Sequence, residues 1–135
     1  MDENSLEEIR DNNELIAIII YAGYDSDGVS FFTPGNFSQQ LGYMRHPAGK
    51  QIMPHVHNLV PREIKYTQEV LFVRRGKVKV DFYSKHKQHI GSRILSQGDV
   101  ILLASGGHGF EMLEETEMIE VKQGPYLGVD DKEHF

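Results

Sequence analysis

The chain reads as an all-β protein, a single barrel or sandwich of short antiparallel strands, and three observations lead there. Short apolar, β-branched runs recur between clusters of Gly, Pro, Asn and Asp, the punctuation of a multi-stranded domain. Val78, Val80 and Phe82 alternate with Lys77, Lys79 and Asp81, the period of a half-buried strand. After residue 15 no stretch carries the apolar spacing of an amphipathic helix.

Taken in order, residues 1–14 are polar and acidic and predict a tail or short helix, residues 15–126 a barrel domain, and residues 127–135 a second tail. Leu15 to Tyr21 is apolar on both faces, so it predicts a strand buried on both sides. Gly23 to Gly28 and Pro34-Gly35-Asn36 are turns, and Ser38 to Arg45 is a strand closed by His46-Pro47-Ala48-Gly49. Glu69 to Val73 and Lys77 to Tyr83 are two strands meeting at Arg75-Gly76, where glycine suits a hairpin bend. Ser84 to Gly91 is a polar tip, and Ser92 to Leu95 opens the next strand. Gln97-Gly98-Asp99 turns into Val100 to Leu103. Phe110 to Leu113 and Met118 to Gln123 complete the sheet. In the last, Ile119, Val121 and Gln123 share one face; the expected reading turns that face inward and leaves Glu120 and Lys122 as exposed charges.

At 135 residues the chain has the size of one domain with one core, and its 39% apolar and 25% charged residues are those of a globular protein. A net charge of −6 argues against nucleic acid as partner, despite the short basic stretch of Arg74, Arg75, Lys77 and Lys79. The absence of cysteine excludes disulfides and thiolate chemistry and fits a cytoplasmic setting. The acidic start lacks the basic and apolar segments of a signal peptide, and the run from Leu15 to Ile20 is too short to span a bilayer, so no membrane partner is expected.

Four side chains carry metal-ligand chemistry. His55 and His57 are two residues apart, so on a strand both imidazoles leave the same face. Glu69 alternates with Leu71 and Val73, and a carboxylate on an apolar face needs a partner or an ion. His108 follows Gly106-Gly107, whose permissive backbone lets its ring approach neighbouring strands.

Three stretches, making up two motifs, resemble the cupin family over roughly residues 38–123. Gly49-Lys50-Gln51-Ile52-Met53-Pro54-His55-Val56-His57 is similar to the family's glycine, five residues, then His-x-His. Glu69-Val70-Leu71-Phe72-Val73-Arg74-Arg75-Gly76 is similar to its glutamate followed after six residues by glycine. Gly98-Asp99-Val100-Ile101-Leu102-Leu103-Ala104-Ser105-Gly106-Gly107-His108 looks like its second motif, shorter by one residue and without that motif's proline or downstream asparagine. The resemblance implies an antiparallel jelly-roll barrel holding one divalent metal (Fe, Mn, Ni, Co or Zn) on His55, His57, Glu69 and His108. The spacer from His57 to Glu69 is eleven residues, longer than the family's three or four, which leaves Glu63 as a rival carboxylate.

That spacer is expected beside the site, with Arg62 and Tyr66 as substrate contacts and Gln123 as an inward polar group. Tyr66 and Glu63 are the nearest candidates for a general base, and no catalytic residue is assigned. The resemblance implies a metal-dependent enzyme acting on a small polar molecule. Carbohydrate or sugar-nucleotide isomerisation or epimerisation comes first and dioxygenation second. A ligand-binding or sensing module and a metal-free structural barrel stay open beside it. The two-sided apolar strands would expose a patch, so a homodimer is expected, as in many cupins.

Overall fold

A computed structural model describes residues 5–128 and 132–135. The strands among these residues are β1 (Leu6–Asp11), β2 (Glu14–Ile20), β3 (Gly28–Phe31), β4 (Gly42–Arg45), β5 (Glu69–Arg75), β6 (Lys77–Tyr83), β7 (His89–Ser96), β8 (Val100–Leu103), β9 (Gly107–Met112) and β10 (Glu117–Lys122). The all-β reading is what the structure has. Every strand pairing is antiparallel. The strands form a five-stranded sheet in the order β1-β2-β8-β5-β10, a three-stranded sheet β7-β6-β9, and the hairpin β3-β4. Among the described residues no helix is long and apolar enough to cross a membrane.

The core lies between the larger two sheets. Ala17, Ile19, Leu71, Val73, Ile101 and Leu103 from one meet Val78, Val80, Phe82 and Leu95 from the other. The opposite face of the five-stranded sheet carries Ile18, Ile20 and Leu102, and residues 24–41 of the same chain cover it with Tyr24, Phe32, Phe37 and Leu41. The two-sided apolar pattern of Leu15–Ile20 therefore has an intramolecular cause and exposes no patch. A smaller strip of Phe72, Ile119 and Val121 stays open to solvent.

Two readings need correction. The segment expected as a tail or short helix contains β1, which pairs with β2 through a tight turn at Asn12-Asn13. Asn12 sits at φ 56°, a conformation asparagine tolerates better than most residues. Ile9 is buried against the core, and Glu7 receives hydrogen bonds from Arg93 and Tyr21, so this strand is clamped by packing and by charge. The second concerns Gly76. β5 and β6 do not pair as a hairpin; the chain passes there from the five-stranded to the three-stranded sheet. Gly76 has φ 102°, and a Cβ at this corner would lie 2.4 Å from the Glu115 carbonyl oxygen. The bend needs a residue without a side chain.

The chain crosses back at Gly98-Asp99, where the buried Asp99 holds the corner. Its carboxylate accepts hydrogen bonds from the amides of Ala22 (2.8 Å) and Ser96 (2.7 Å). A third crossing, Ala104 to Gly106, delivers the chain into β9 and sets the position of His108.

Candidate functional site

Glu69 opens β5, and its neighbours in register are Leu103 on β8 and Lys122 on β10. Paired residues of a sheet share a face, so Glu69 and Lys122 point to the side of Leu71 and Val73, toward the core. From the facing sheet, His108 lies opposite Phe82 on β6 and shares its inward face. The two elements bring the His108 Nε2 to 3.4 Å from the Glu69 Oε1, with both side chains mostly buried. The predicted proximity of Glu69 and His108 thus arises across the gap between two sheets, where β9 and β10 border the open side of the core.

Glu120 belongs to this cluster, contrary to the exposed orientation expected for it. Its register partner is Leu71, so its side chain leaves on the Glu69 face, whereas Ile119 and Val121 turn outward. Alternation divided β10 into two faces, but the apolar face is the outer one. Glu120 hydrogen-bonds to Glu69. The His108 contact holds the Glu69 carboxyl far below the usual carboxylate range, at about 2, against the opposing effect of burial. Glu120 is pushed the other way by that same hydrogen bond, by burial and by the Glu69 charge. Of the two carboxyls, Glu120 is the harder to ionise.

His55 and His57 stand elsewhere. Residues 46–65 form no strand or helix, and both rings are exposed within this stretch. Their centroids are 5.2 Å apart, edge to face, and the His55 Nδ1 lies 2.9 Å from the Met53 carbonyl oxygen. The donor types suit a divalent ion, but the four fall into two pairs. Among the described residues no three His, Asp or Glu side chains are grouped to hold a metal. Glu63, the rival carboxylate, is exposed and lies 3.7 Å from Lys65; Glu69 is the carboxylate that meets His108.

Arg62, Tyr66 and Gln123 do come together. They line a cleft of about 1130 Å³ at the rim of the five-stranded sheet, between residues 34–40 and 62–66. None of His55, His57, Glu69 and His108 lines it. Gln68 and Gln123 extend the β5–β10 ladder by one position, Gln123 N donating to the Gln68 oxygen at 2.9 Å. Their side chains meet Ser38 and Gln39 of the covering segment, on the face opposite Glu69 and Lys122. Gln123 is accordingly a rim residue on the outer side, not an inward group. Gln68 and Gln39 were missed as candidates; Gln68, a buried amide directly before Glu69, was the signal available.

No protein-family model, curated protein or solved structure matches this chain.

Proposed function

We propose that this chain is a metal-binding β-barrel protein of cupin type, a metal-dependent enzyme acting on a small polar molecule. The observation that carries the reading is the Glu69–His108 pair, an ionised carboxylate and an imidazole facing each other on the open side of the core. The motif frame around His55, His57, Glu69 and His108 supports it further. These two pairs become one donor set only if residues 50–57 fold toward β9 and β10. That stretch has no regular structure to give up, and β9 and β10 are edge strands.

Within this reading Glu69 and His108 are the preformed half, and His55 and His57 complete it. A divalent ion held there supplies Lewis-acid activation of a substrate oxygen. The chain's own contributions are distinct. His108 orients the Glu69 carboxylate, and Glu120 stands beside it on the same face of the sheet. Isomerisation or epimerisation of a carbohydrate is the first assignment of reaction class.

A binding role without turnover is the second reading. It is favoured by the cleft at Arg62, Tyr66 and Gln123, whose occupant would lie across the sheet from Glu69 and His108.

The test is thermal unfolding of the chelator-treated chain with added Mn, Fe(II), Co, Ni or Zn. An ion at a hundred times its dissociation constant stabilises by about 2.7 kcal/mol, a readily measured rise in Tm. Glu69→Gln should abolish the rise and Glu63→Gln should leave it intact. No rise with any of these ions refutes the reading.

A further inference from the structure

The rim cleft has features of a built site that the metal reading does not use. Its back wall is a chain of side-chain amides locked in orientation. Gln68 is only 5% exposed. Its Oε1 accepts from Ser38 Oγ (3.2 Å) and from the Gln39 amide (3.1 Å), and Gln39 Nε2 donates to Gln123 Oε1 at 2.8 Å. With Gln39 Nε2 so engaged, Gln39 Oε1 has no partner among the described residues and is left as a fixed acceptor. Facing this wall, Arg62 has no ion pair or hydrogen bond among the described residues, and the Tyr66 ring is 75% exposed. The other cations of the lining are matched: Arg10 with Glu8, and Lys65 with Glu63.

We propose that this cleft is a binding site for a monosaccharide bearing a phosphate or a carboxylate. Gln39 Oε1 presents an acceptor, and the Gln39 and Gln123 amide nitrogens each keep one N–H beyond their bonds to Gln123 Oε1 and the Gly124 carbonyl, a mix of donor and acceptor suited to sugar hydroxyls. The unmatched guanidinium offers a planar fork to an anionic oxygen pair. The Tyr66 ring supplies a flat apolar surface beside them, suited to the C–H face of a sugar ring. A volume of about 1130 Å³ is ample for such a ligand. Because Gln68 and Gln123 leave the sheet opposite Glu69 and Lys122, the site does not depend on the Glu69–His108 pair or on a metal.

Titration calorimetry on the chelator-treated full chain tests this with glucose 6-phosphate, glucuronate, glucose and inorganic phosphate as probes. At least one anionic sugar should bind, and more tightly than glucose or inorganic phosphate. The glucose 6-phosphate and glucuronate arms tell a phosphate from a carboxylate preference. Arg62→Ala should weaken that binding by about tenfold or more, as expected for a charge-assisted hydrogen bond. Tyr66→Ala should weaken all sugar binding, and Glu69→Gln should change none of it. No binding of either anionic sugar overturns the proposal. So does inorganic phosphate binding as tightly as glucose 6-phosphate, or affinity unchanged in Arg62→Ala. Loss of binding in Glu69→Gln with the fold intact would overturn the separateness of the site while leaving the metal reading standing.

Discussion

Replacing Glu7 by Gln should unclasp the N-terminal strand. Arg93 donates to Glu7 through Nε, at 3.0 Å to each carboxylate oxygen, and through its terminal nitrogen at 2.7 Å; the Tyr21 hydroxyl adds a bond of 2.7 Å. The Glu7 side chain is 9% exposed and that of Arg93 35%. Breaking a fully buried ion pair on one side costs about 3–5 kcal/mol. Arg93 recovers hydration once released, so the cost falls to about 2 kcal/mol, the range of hydrogen bonds to charged groups. For a chain of this size that is a drop in Tm of about 6–10 °C. Burial alone would raise the Glu7 carboxyl, but the hydrogen bonds from Arg93 and Tyr21 and the Arg93 charge outweigh it and lower it. A carboxyl lowered in the folded state stabilises fully above its ordinary value near 4.5, and that stability is lost as pH falls through the lowered value. Denaturant melts should therefore show a constant deficit for Glu7→Gln above about pH 5 that closes as the solution is acidified. Equal stability of the two proteins at pH 7, or a deficit that persists when the carboxyl is protonated, refutes the clasp.

Gly76→Ala should destabilise the chain by about 2 kcal/mol or more, because φ 102° and a 2.4 Å approach to the Glu115 carbonyl both oppose a Cβ; chemical denaturation reads this. Gly106→Ala meets the same obstacle at the Tyr83 carbonyl oxygen, 2.3 Å from the added Cβ. It should also displace His108, visible as a shift of its imidazole resonances by NMR. Asp99→Ala strips the amides of Ala22 and Ser96 of their charged acceptor and should cost about 1–3 kcal/mol, whereas Asp99→Asn, retaining one oxygen, should cost less. Equal losses for the two Asp99 variants would contradict the corner's hydrogen-bond account.

The legible and illegible parts of this chain divide along physical lines. Strands β6 and β8 were readable because apolar side chains at fixed period, or in an unbroken run, have few other solutions. The Glu69–His108 encounter was readable because a carboxylate among Leu71 and Val73 demands a partner. Face assignment on β10 was not, since periodicity separates Ile119 and Val121 from Glu120 and Lys122 without saying which pair meets the core. Register with β5 decides that, and register is a long-range property. The β1 strand was hidden by its three acidic residues, two of which, Glu7 and Glu8, are matched to distant Arg93 and nearby Arg10. The passage between sheets at Gly76 looks in sequence like any glycine turn; only the packing of residues 115–116 against it reveals a corner.

The proposed metal site requires His55, His57, Glu69 and His108 to act on one ion. Elemental analysis of the untagged chain, purified without chelator, tests it most directly. Close to one divalent metal per chain is expected, lost in His108→Ala and equally in His55→Ala, although these residues stand in separate pairs in the structure. Metal retained in full by His55→Ala would contradict the joining of the two pairs, and a chain that carries and takes up no metal would contradict the site itself.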